Sequence, residues 1–179
     1  MEKAIFLDRD GTINKDFGYV HSNDQFELLP GVITGLKKLQ KAGFLLIIIT
    51  NQSGIARGLF SEQQFLQFDT WVREYLKKYQ INIEKTYYCP HHPDARIPQY
   101  KTKCDCRKPG TLLFRKAIDE YDIDISKSYV IGDKERDIQI CFQQDIKGFL
   151  IYSDKEMVRG NVMHIHGGLL EAANCILGG

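Results

Sequence analysis

Five short runs of strand-forming residues, each followed by small or polar residues, punctuate the first 152 residues of the chain. They cover residues 4–7, 44–49, 83–89, 129–131 and 148–152. Apolar runs of this length, bounded by turn residues, are typical of buried strands in a parallel sheet. Segments with the helical spacing of apolar residues alternate with them, and this alternation predicts an α/β fold with a Rossmann-like parallel sheet flanked by helices.

Helical spacing is found over residues 30–43, 61–79 and 111–121, from about 169 onward, and around Cys141. Ser61 and Gln64 have the spacing of a capping box at the start of the second helix. Residues 14–29 have no clean period, which predicts a loop over the mouth of a site. No stretch between the runs is long enough for an inserted cap domain.

The length of 179 residues predicts one domain, residues 1–179. Lys and Arg number 24 against 23 Asp and Glu, so net charge does not suggest a nucleic-acid or anionic-membrane partner. The longest apolar run, residues 44–49, is far too short to span a membrane, and residues 1–3 carry no signal-peptide pattern. We therefore expect a soluble cytoplasmic protein, and a monomer is compatible with the sequence.

Two carboxylates, Asp8 and Asp10, follow the first strand and precede Gly11. Parallel strands bring their carboxyl ends to one edge of the sheet, where α/β proteins bind ligands. Two acids held close together favour a hard cation with oxygen ligands, and Mg²⁺ is the expected ion. Asp133 and Asp137 follow the fourth strand and are expected at the same edge. A pair of surface aspartates in a turn is the alternative.

Other strand ends supply groups suited to a phosphoryl substrate. Thr50 and Asn51 end the second strand and offer hydroxyl and amide donors, and Arg57 adds a cation on a loop that Gly58 flanks. Arg107 and Lys108 precede the third helix, where Lys108 can neutralise both a nucleophilic carboxylate and a phosphoryl group. Arg57, Arg107 and Lys134 outnumber the cations needed for one phosphate and so suggest a second anionic group.

Cys89, His91, Cys104 and Cys106 form two ligand pairs separated by a long loop. In a reducing compartment such a Cys₃His set is typical of structural, four-coordinate Zn²⁺ and leaves no open position for substrate. The sequence therefore predicts a zinc-binding loop. The remaining cysteines, Cys141 and Cys175, are predicted to pack as apolar residues.

The motif Asp8-Arg9-Asp10-Gly11-Thr12 resembles the first motif of the haloacid dehalogenase (HAD) superfamily of phosphohydrolases. Thr50, Lys108 and the pair Asp133 and Asp137 match its other three motifs in the same order. The resemblance implies a phosphatase in which Asp8 is phosphorylated and Asp10 acts as general acid and base. It also implies that Thr50 and Lys108 hold the phosphoryl group and that Asp133 is the third Mg²⁺ contact, beside Asp8 and Asp10. Asp137 is then expected to support its motif by hydrogen bonding.

Over most of the chain up to about residue 150, the motifs resemble the D,D-heptose 1,7-bisphosphate 7-phosphatase family. This resemblance implies removal of the C7 phosphate during synthesis of ADP-heptose for the lipopolysaccharide core or related glycans. It implies substrate contacts at Asp16, Phe17, Gly18, Tyr19, Thr50, Asn51, Gln52, Ser53, Arg107, Lys108 and Lys134. The sequence departs from the family after Pro109, where Gly110-Thr111 replaces a common additional Pro-Gly step, and the tail beyond Tyr152 carries no recognisable motif.

Three alternatives share part of this pattern. Histidinol-phosphate phosphatases have the same motifs and a similar zinc loop, but resemble the chain less over residues 54–58. Polynucleotide 3′-phosphatases share the first two motifs, although the near-neutral charge and the zinc loop disfavour them. A zinc-stabilised binding module without activity is the third alternative, and the complete set of acids at Asp8, Asp10 and Asp133 argues against it.

Overall fold

The computed structural model describes residues 1–154 and 158–178. Within these ranges, strands β1 to β7 are Ala4–Leu7, Leu45–Asn51, Ile83–Cys89, Tyr129–Gly132, Lys147–Leu150, Val158–Arg159 and Val162–His164. Helices α1 to α5 are Val32–Lys41, Ser53–Ala56, Glu62–Lys77, Leu112–Tyr121 and Leu169–Gly178. Short 3₁₀ turns occur in the connecting loops.

The strands form one sheet in the order β3-β2-β1-β4-β5-β7-β6. All neighbouring pairs are parallel except β6 and β7, which pair antiparallel. β1 lies between β2 and β4, so the residues that follow β1, β2 and β4 meet at one edge of the sheet. This arrangement confirms the predicted α/β class, and the described connections contain no inserted cap domain.

The apolar residues of β1 divide between the two faces of the sheet, as the twofold period of a strand requires. Ile5 and Leu7 pack with the apolar sides of α1, α3 and α5. Ala4 and Phe6 pack on the other face with α4 and with residues near β5. The buried strand therefore has a helical layer on both sides, and its carboxyl end is held rigidly.

Several local predictions are confirmed. Each of the five predicted strands lies within two residues of its expected start and end. The capping box at the start of α3 is present: the Ser61 hydroxyl accepts from the Gln64 N–H at 3.1 Å, and Gln64 Oε1 accepts from the Ser61 N–H at 2.7 Å. Residues 14–29 form a loop that contains one 3₁₀ turn.

Other predictions are wrong. The helix expected around Cys141 is replaced by two 3₁₀ turns, Glu135–Asp137 and Gln139–Phe142. Cys141 is nevertheless buried as predicted, whereas Cys175 is exposed. The buried face of α5 is formed by Leu169, Ala172 and Ala173, and Cys175 lies outside it. Strands β6 and β7 were not anticipated in the tail. None of the described helices is both long and apolar enough to cross a membrane.

A glycine on α1 allows close contact with α5. A Cβ atom at Gly35 would lie 2.5 Å from Leu169 Cδ2 and 3.2 Å from the Leu169 carbonyl oxygen. We expect Gly35→Ala to lower the free energy of unfolding by about 2 kcal/mol, because overpacking outweighs the better helix propensity of alanine. Urea denaturation measures this change. Thr34→Ala, on an exposed position of the same helix, is the control and should lose no stability; equal stabilities of the two variants would contradict the prediction.

Candidate active site

Asp8 is placed at the sheet edge by the end of β1. Its backbone N–H donates to the Ile131 carbonyl of β4 at 3.0 Å, which continues the pairing of the two strands by one residue. Gly11 then turns the chain with a φ of 93°. A Cβ atom at this position would lie 2.4 Å from Asp133 Oδ2. Glycine is therefore required both for the turn and for the close approach of the Asp133 carboxylate.

The buried ammonium group of Lys108 lies at the centre of the site. Lys108 Nζ lies 2.6 Å from Asp8 Oδ1, 2.8 Å from Asp137 Oδ1 and 2.6 Å from the Ile49 carbonyl oxygen. These groups come from the end of β1, from β2 and from the turn after β4. Lys108 Nζ donates hydrogen bonds to Asp8 and to the Ile49 carbonyl and forms an ion pair with Asp137, so its charge is compensated inside the protein.

Burial and charge change the pKa values of this cluster. Burial raises the pKa of the Asp8 carboxyl, and the nearby Lys108 ammonium partly opposes that rise. Burial disfavours the charge on Lys108, but Asp8 and Asp137 outweigh this effect and raise the lysine pKa. Burial also raises the pKa of Asp133. Lys108 therefore remains cationic, and its charge favours the ionised form of Asp8 against the effect of burial.

Three carboxylates could hold a cation. Oxygens of Asp8, Asp133 and Asp137 all lie within 4.8 Å of one another. Asp133 Oδ1 is buried and accepts no hydrogen bond from the residues that the structure describes. A hard-oxygen donor set with an unpaired buried acceptor fits a divalent cation. Asp10, which we predicted as a ligand, does not belong to this group of three, and its contact with a metal stays a prediction.

The Asp10 carboxylate is held instead by hydrogen-bond donors. Arg9 Nη2 lies 3.0 Å from Oδ1 and 2.9 Å from Oδ2. Asn14 Nδ2 donates to Oδ1 at 3.0 Å, and Gln52 Nε2 donates to Oδ2 at 3.1 Å and to Thr50 Oγ1 at 3.0 Å. The two carboxylates therefore have different partners. Asp8 contacts an ammonium ion, and Asp10 contacts a set of amide and guanidinium donors.

Asn51 fixes the backbone that carries Lys108. Its Nδ2 donates to the Lys108 carbonyl at 3.1 Å, and its Oδ1 accepts from the Lys108 N–H at 2.9 Å. This pair of bonds joins the end of β2 to the loop that precedes α4. Asn51, predicted as a substrate contact, therefore uses its side-chain amide to position Lys108.

A cavity of about 360 Å³ opens above these groups. Its lining includes the predicted residues Asp8, Asp10, Asp16, Gly18, Tyr19, Thr50, Asn51, Gln52, Ser53, Arg57, Arg107 and Lys134, together with Gly54, His92 and Arg136. Lys108 and Asp133 lie beneath the lining. Phe17 is 61% exposed and is not among the lining residues. The structure thus brings most of the predicted site residues together, and Phe17 stands apart.

The loop of residues 14–29 closes one side of the cavity through two contacts. Lys134 Nζ donates to Asp16 Oδ2 at 3.0 Å, which ties the loop to the turn after β4. Although partial burial raises the pKa of Asp16, the hydrogen bonds from Lys134 and the Gly18 N–H outweigh it and lower that pKa. The second contact joins the loop to Arg57, whose guanidinium lies 6.0 Å from the centre of the Tyr19 ring.

Cys89, His91, Cys104 and Cys106 converge in a second cluster. Cys106 Sγ lies 3.1 Å from both Cys89 Sγ and Cys104 Sγ, and 3.2 Å from His91 Nδ1. These separations are too long for disulfides, and all four ligand atoms lie within 4.8 Å of one another. Three sulfurs and one imidazole nitrogen at these distances fit a four-coordinate metal ion.

Sequence reasoning did not assign a role to Arg9, His92 or Arg136 in this site. His92 and Arg136 line the cavity, and Arg9 is fully buried against Asp10. Asp137 was expected to support its motif by hydrogen bonding, and its Oδ2 does accept from the Lys134 N–H at 3.0 Å. The place of Arg9 within the Asp8–Thr12 motif indicates that it lies near the site. The sequence does not indicate that its side chain is buried against Asp10.

Comparison with protein families places the geometry among phosphatases. A family model described as polynucleotide kinase 3 phosphatase matches residues 3–156. D-glycero-beta-D-manno-heptose-1,7-bisphosphate 7-phosphatase of Haemophilus influenzae is 50% identical over 147 residues, which cover 82% of this chain and 79% of that protein. The Escherichia coli K12 protein of the same name is 48% identical over 143 residues, covering 80% of this chain and 75% of that protein.

A solved structure agrees with these relatives. The D,D-heptose 1,7-bisphosphate phosphatase of B. bronchiseptica, complexed with magnesium and phosphate, superposes with a TM-score of 0.83 at 29% sequence identity. The alignment covers 98% of each chain. The similarity confirms the predicted HAD-like fold, and the names of the relatives identify the chain as a phosphoric monoester hydrolase. The names of these relatives argue against the alternative of a binding module without activity.

Lys108→Met tests the central cation. We expect it to lower the free energy of unfolding by about 3 kcal/mol, because it leaves Asp8 and Asp137 buried without their partner. Phosphatase activity should fall with it. Urea denaturation in magnesium-free buffer measures the stability change. Lys101→Met, on an exposed lysine of the same loop, is the control; a Lys108→Met protein as stable as this control would contradict the assigned ion pairs.

Proposed function

Because the chain belongs to the family of D-glycero-beta-D-manno-heptose-1,7-bisphosphate 7-phosphatases, we propose that it removes the C7 phosphate of this sugar bisphosphate. The product retains the C1 phosphate and feeds the synthesis of ADP-heptose for the lipopolysaccharide core. The partner is thus a small-molecule sugar bisphosphate, and no nucleic acid or membrane is required.

The observation that carries this proposal is the excess of cationic groups around the cavity. One phosphoryl group needs Lys108 and the metal-competent acids at the base of the site. Arg57, Arg107, Lys134 and Arg136 lie farther out on the lining. Arg57 Nε and Arg107 Nη1 are buried and have no hydrogen-bond partner among the described residues. Buried donors without partners favour an anionic ligand, which matches a second phosphate on the substrate.

The reaction follows from the positions of Asp8 and Asp10. Asp8 attacks the C7 phosphorus in line, the P–O bond to C7 breaks, and an aspartyl-phosphate forms. Asp10 gives its proton to the departing sugar oxygen. Asp10 then takes a proton from a water molecule that attacks the aspartyl-phosphate, and this step releases inorganic phosphate and restores Asp8. Lys108 and Thr50 hold the phosphoryl oxygens, while Gln52 and Asn14 maintain the orientation of Asp10.

Asp8 and Asp133 are proposed to hold Mg²⁺, with Asp10 as the third contact predicted from sequence. Asp137 offers a further carboxylate in the same cluster. A bound Mg²⁺ would stabilise negative charge on the phosphoryl oxygens. Asp137 also contacts Lys108, so it limits the movement of the lysine away from Asp8.

Zn²⁺ is the proposed ion of the Cys89, His91, Cys104 and Cys106 cluster. This cluster occupies all four ligand positions with protein atoms, which is typical of structural rather than catalytic zinc. Cys106 directly precedes Arg107 and Lys108. The ion would therefore fix the start of the segment that carries both cations.

Two other substrate classes have support. Histidinol phosphate is a candidate because histidinol-phosphate phosphatases have the same superfamily motifs as this chain. The match to the polynucleotide kinase 3 phosphatase model supports testing a 3′-phosphorylated oligonucleotide. Both are monophosphates at the reacting end, and histidinol phosphate carries no second anionic group for the outer cations.

Substrate choice is measured by magnesium-dependent phosphate release from heptose 1,7-bisphosphate, histidinol phosphate and a 3′-phosphorylated oligonucleotide, side by side. We expect strong preference for the bisphosphate, with one phosphate released per sugar. Asp8→Asn should reduce turnover by about 10³-fold or more, since it removes the nucleophile. Asp119→Asn, on an exposed position of α4, should retain full activity. Preference for another substrate would overturn the specificity, and retained activity in Asp8→Asn would overturn the covalent step.

Removal of one cluster ligand should lower metal content and stability together. We expect Cys104→Ser to lose bound zinc and to melt about 5–10 °C lower. A zinc ion present at about 100 times its Kd stabilises the folded protein by about 2.7 kcal/mol, and this stabilisation would be lost. Metal analysis and thermal denaturation measure the two effects. Cys175→Ser, on an exposed position, should change neither. If the wild-type protein is purified free of zinc, and its melting temperature is the same before and after zinc is added, the cluster needs no metal.

A further inference from the structure

Arg9 is the largest fully buried side chain among those the structure describes. It lies between the two acids in sequence, yet it does not reach the cavity. Its guanidinium group contacts Asp10 on one side and lies against the rings of Phe65 and Phe68 of α3 on the other, at 5.8 and 5.1 Å from their centres. The cation is thus enclosed between an aromatic wall and the Asp10 carboxylate, and the buried Asp69 of α3 also interacts with its charge.

This burial is costly for an arginine. Nη1 of Arg9 has no hydrogen-bond partner among the described residues, although it is shielded from solvent. An uncharged side chain of similar length would fill a space lined by Phe65 and Phe68 without losing the hydration of a guanidinium group. The polar contacts of Arg9 therefore indicate what the charge does.

Those contacts are concentrated on Asp10. Arg9 Nη2 lies 3.0 Å from Asp10 Oδ1 and 2.9 Å from Oδ2, and Nε lies 3.2 Å from Oδ1. Asn14 and Gln52 each contact only one of these oxygens. Arg9 Nη2 also donates to the Val20 carbonyl at 2.7 Å, in the loop that closes the cavity. One rigid group therefore fixes both oxygens of Asp10 relative to that loop.

We propose that Arg9 is a positioning residue that holds the Asp10 carboxylate in the orientation for proton transfer to and from the substrate. The proposal rests on the role of Asp10 in the proposed function. Arg9 does not line the cavity, so it acts on the substrate only through Asp10. A planar guanidinium with adjacent donors limits rotation of a carboxylate more strongly than single amide donors do. A carboxylate that rotates freely spends less time aligned with the leaving oxygen.

A double-mutant cycle tests this role. Single-turnover rates, with enzyme in excess over heptose 1,7-bisphosphate, are compared for wild type, Arg9→Met, Asp10→Ala and the double variant. We expect Arg9→Met to slow the maximal single-turnover rate about 100-fold, within the range that general acid–base catalysis contributes, while the enzyme concentration that gives half of that rate changes little. In the Asp10→Ala background the same change should slow the reaction by less than about 3-fold, because no carboxylate remains to be positioned.

Equal losses in the two backgrounds would overturn the proposal, because Arg9 would then act through the fold or through the loop and not through Asp10. Val72→Ala, at a buried position of α3, is the control for loss of packing. It should lower the melting temperature and leave the single-turnover rate unchanged at 25 °C. A rate loss in Val72→Ala as large as that in Arg9→Met would also count against the proposal.

Arg9→Lys provides a second route if Arg9→Met does not fold. Lysine keeps the charge but cannot donate from two adjacent nitrogens. We expect a smaller rate loss than for Arg9→Met, again confined to the background that retains Asp10. If the wild type prefers another phosphomonoester, the cycle is performed with that substrate. Failure of the assigned specificity is thereby separated from failure of the role of Arg9. Wild-type rates in Asp10→Ala would overturn both the assigned role of Asp10 and that of Arg9.

Discussion

The buried ammonium ion of Lys108 is the interaction on which the rest of the site depends. An ammonium group removed from water is destabilising unless its protons are paired. Here the ammonium group donates to Asp8 and to the Ile49 carbonyl at 2.6 Å, and it forms an ion pair with Asp137 at 2.8 Å. These groups lie on separate segments, after β1, after β4 and within β2. The charge balance therefore holds three strand ends in a single arrangement, and the same arrangement brings the carboxylates together.

Lys108 in turn depends on supports that lie outside the sheet. The Asn51 amide bonds both the N–H and the carbonyl of Lys108, so the end of β2 sets the position of its backbone. The second support precedes Lys108 in the chain: Cys106, two residues before it, belongs to the cluster of three cysteine sulfurs and one imidazole. A metal in that cluster would act on the chemistry through the backbone, without contact with substrate. The proposed role of this cluster would account for its place directly before the cations of the site.

The sequence predicts those parts of the molecule that follow from local pattern. Strand residues 4–7 and 83–89 have the predicted boundaries, and the strand-end acids meet because parallel strands share an edge. The segment around Cys141 was mispredicted, because its apolar spacing suits a helix while the chain forms two 3₁₀ turns. The two strands of the tail were missed because they are short and depend on pairing beside β5. Side-chain direction is the other limit: Phe17 shares the loop of Gly18 and Tyr19 but is 61% exposed and does not line the cavity.

Asp8 and Asp10 show why side-chain direction decides function at this edge of the sheet. Both residues are aspartates and both adjoin Arg9 in the sequence, yet their side chains have different surroundings. Asp8 faces the Lys108 ammonium ion, which favours ionisation, and two further carboxylates. Burial and the Asp137 charge oppose ionisation and raise the pKa of Asp8. Asp10 faces Arg9, Asn14 and Gln52, and this set of donors controls the orientation of its carboxylate. In the proposed mechanism, these different surroundings would allow one acid to form a bond and the other to transfer a proton. That division of roles would originate less in the two aspartates than in Lys108 and Arg9, the buried cations that each of them contacts.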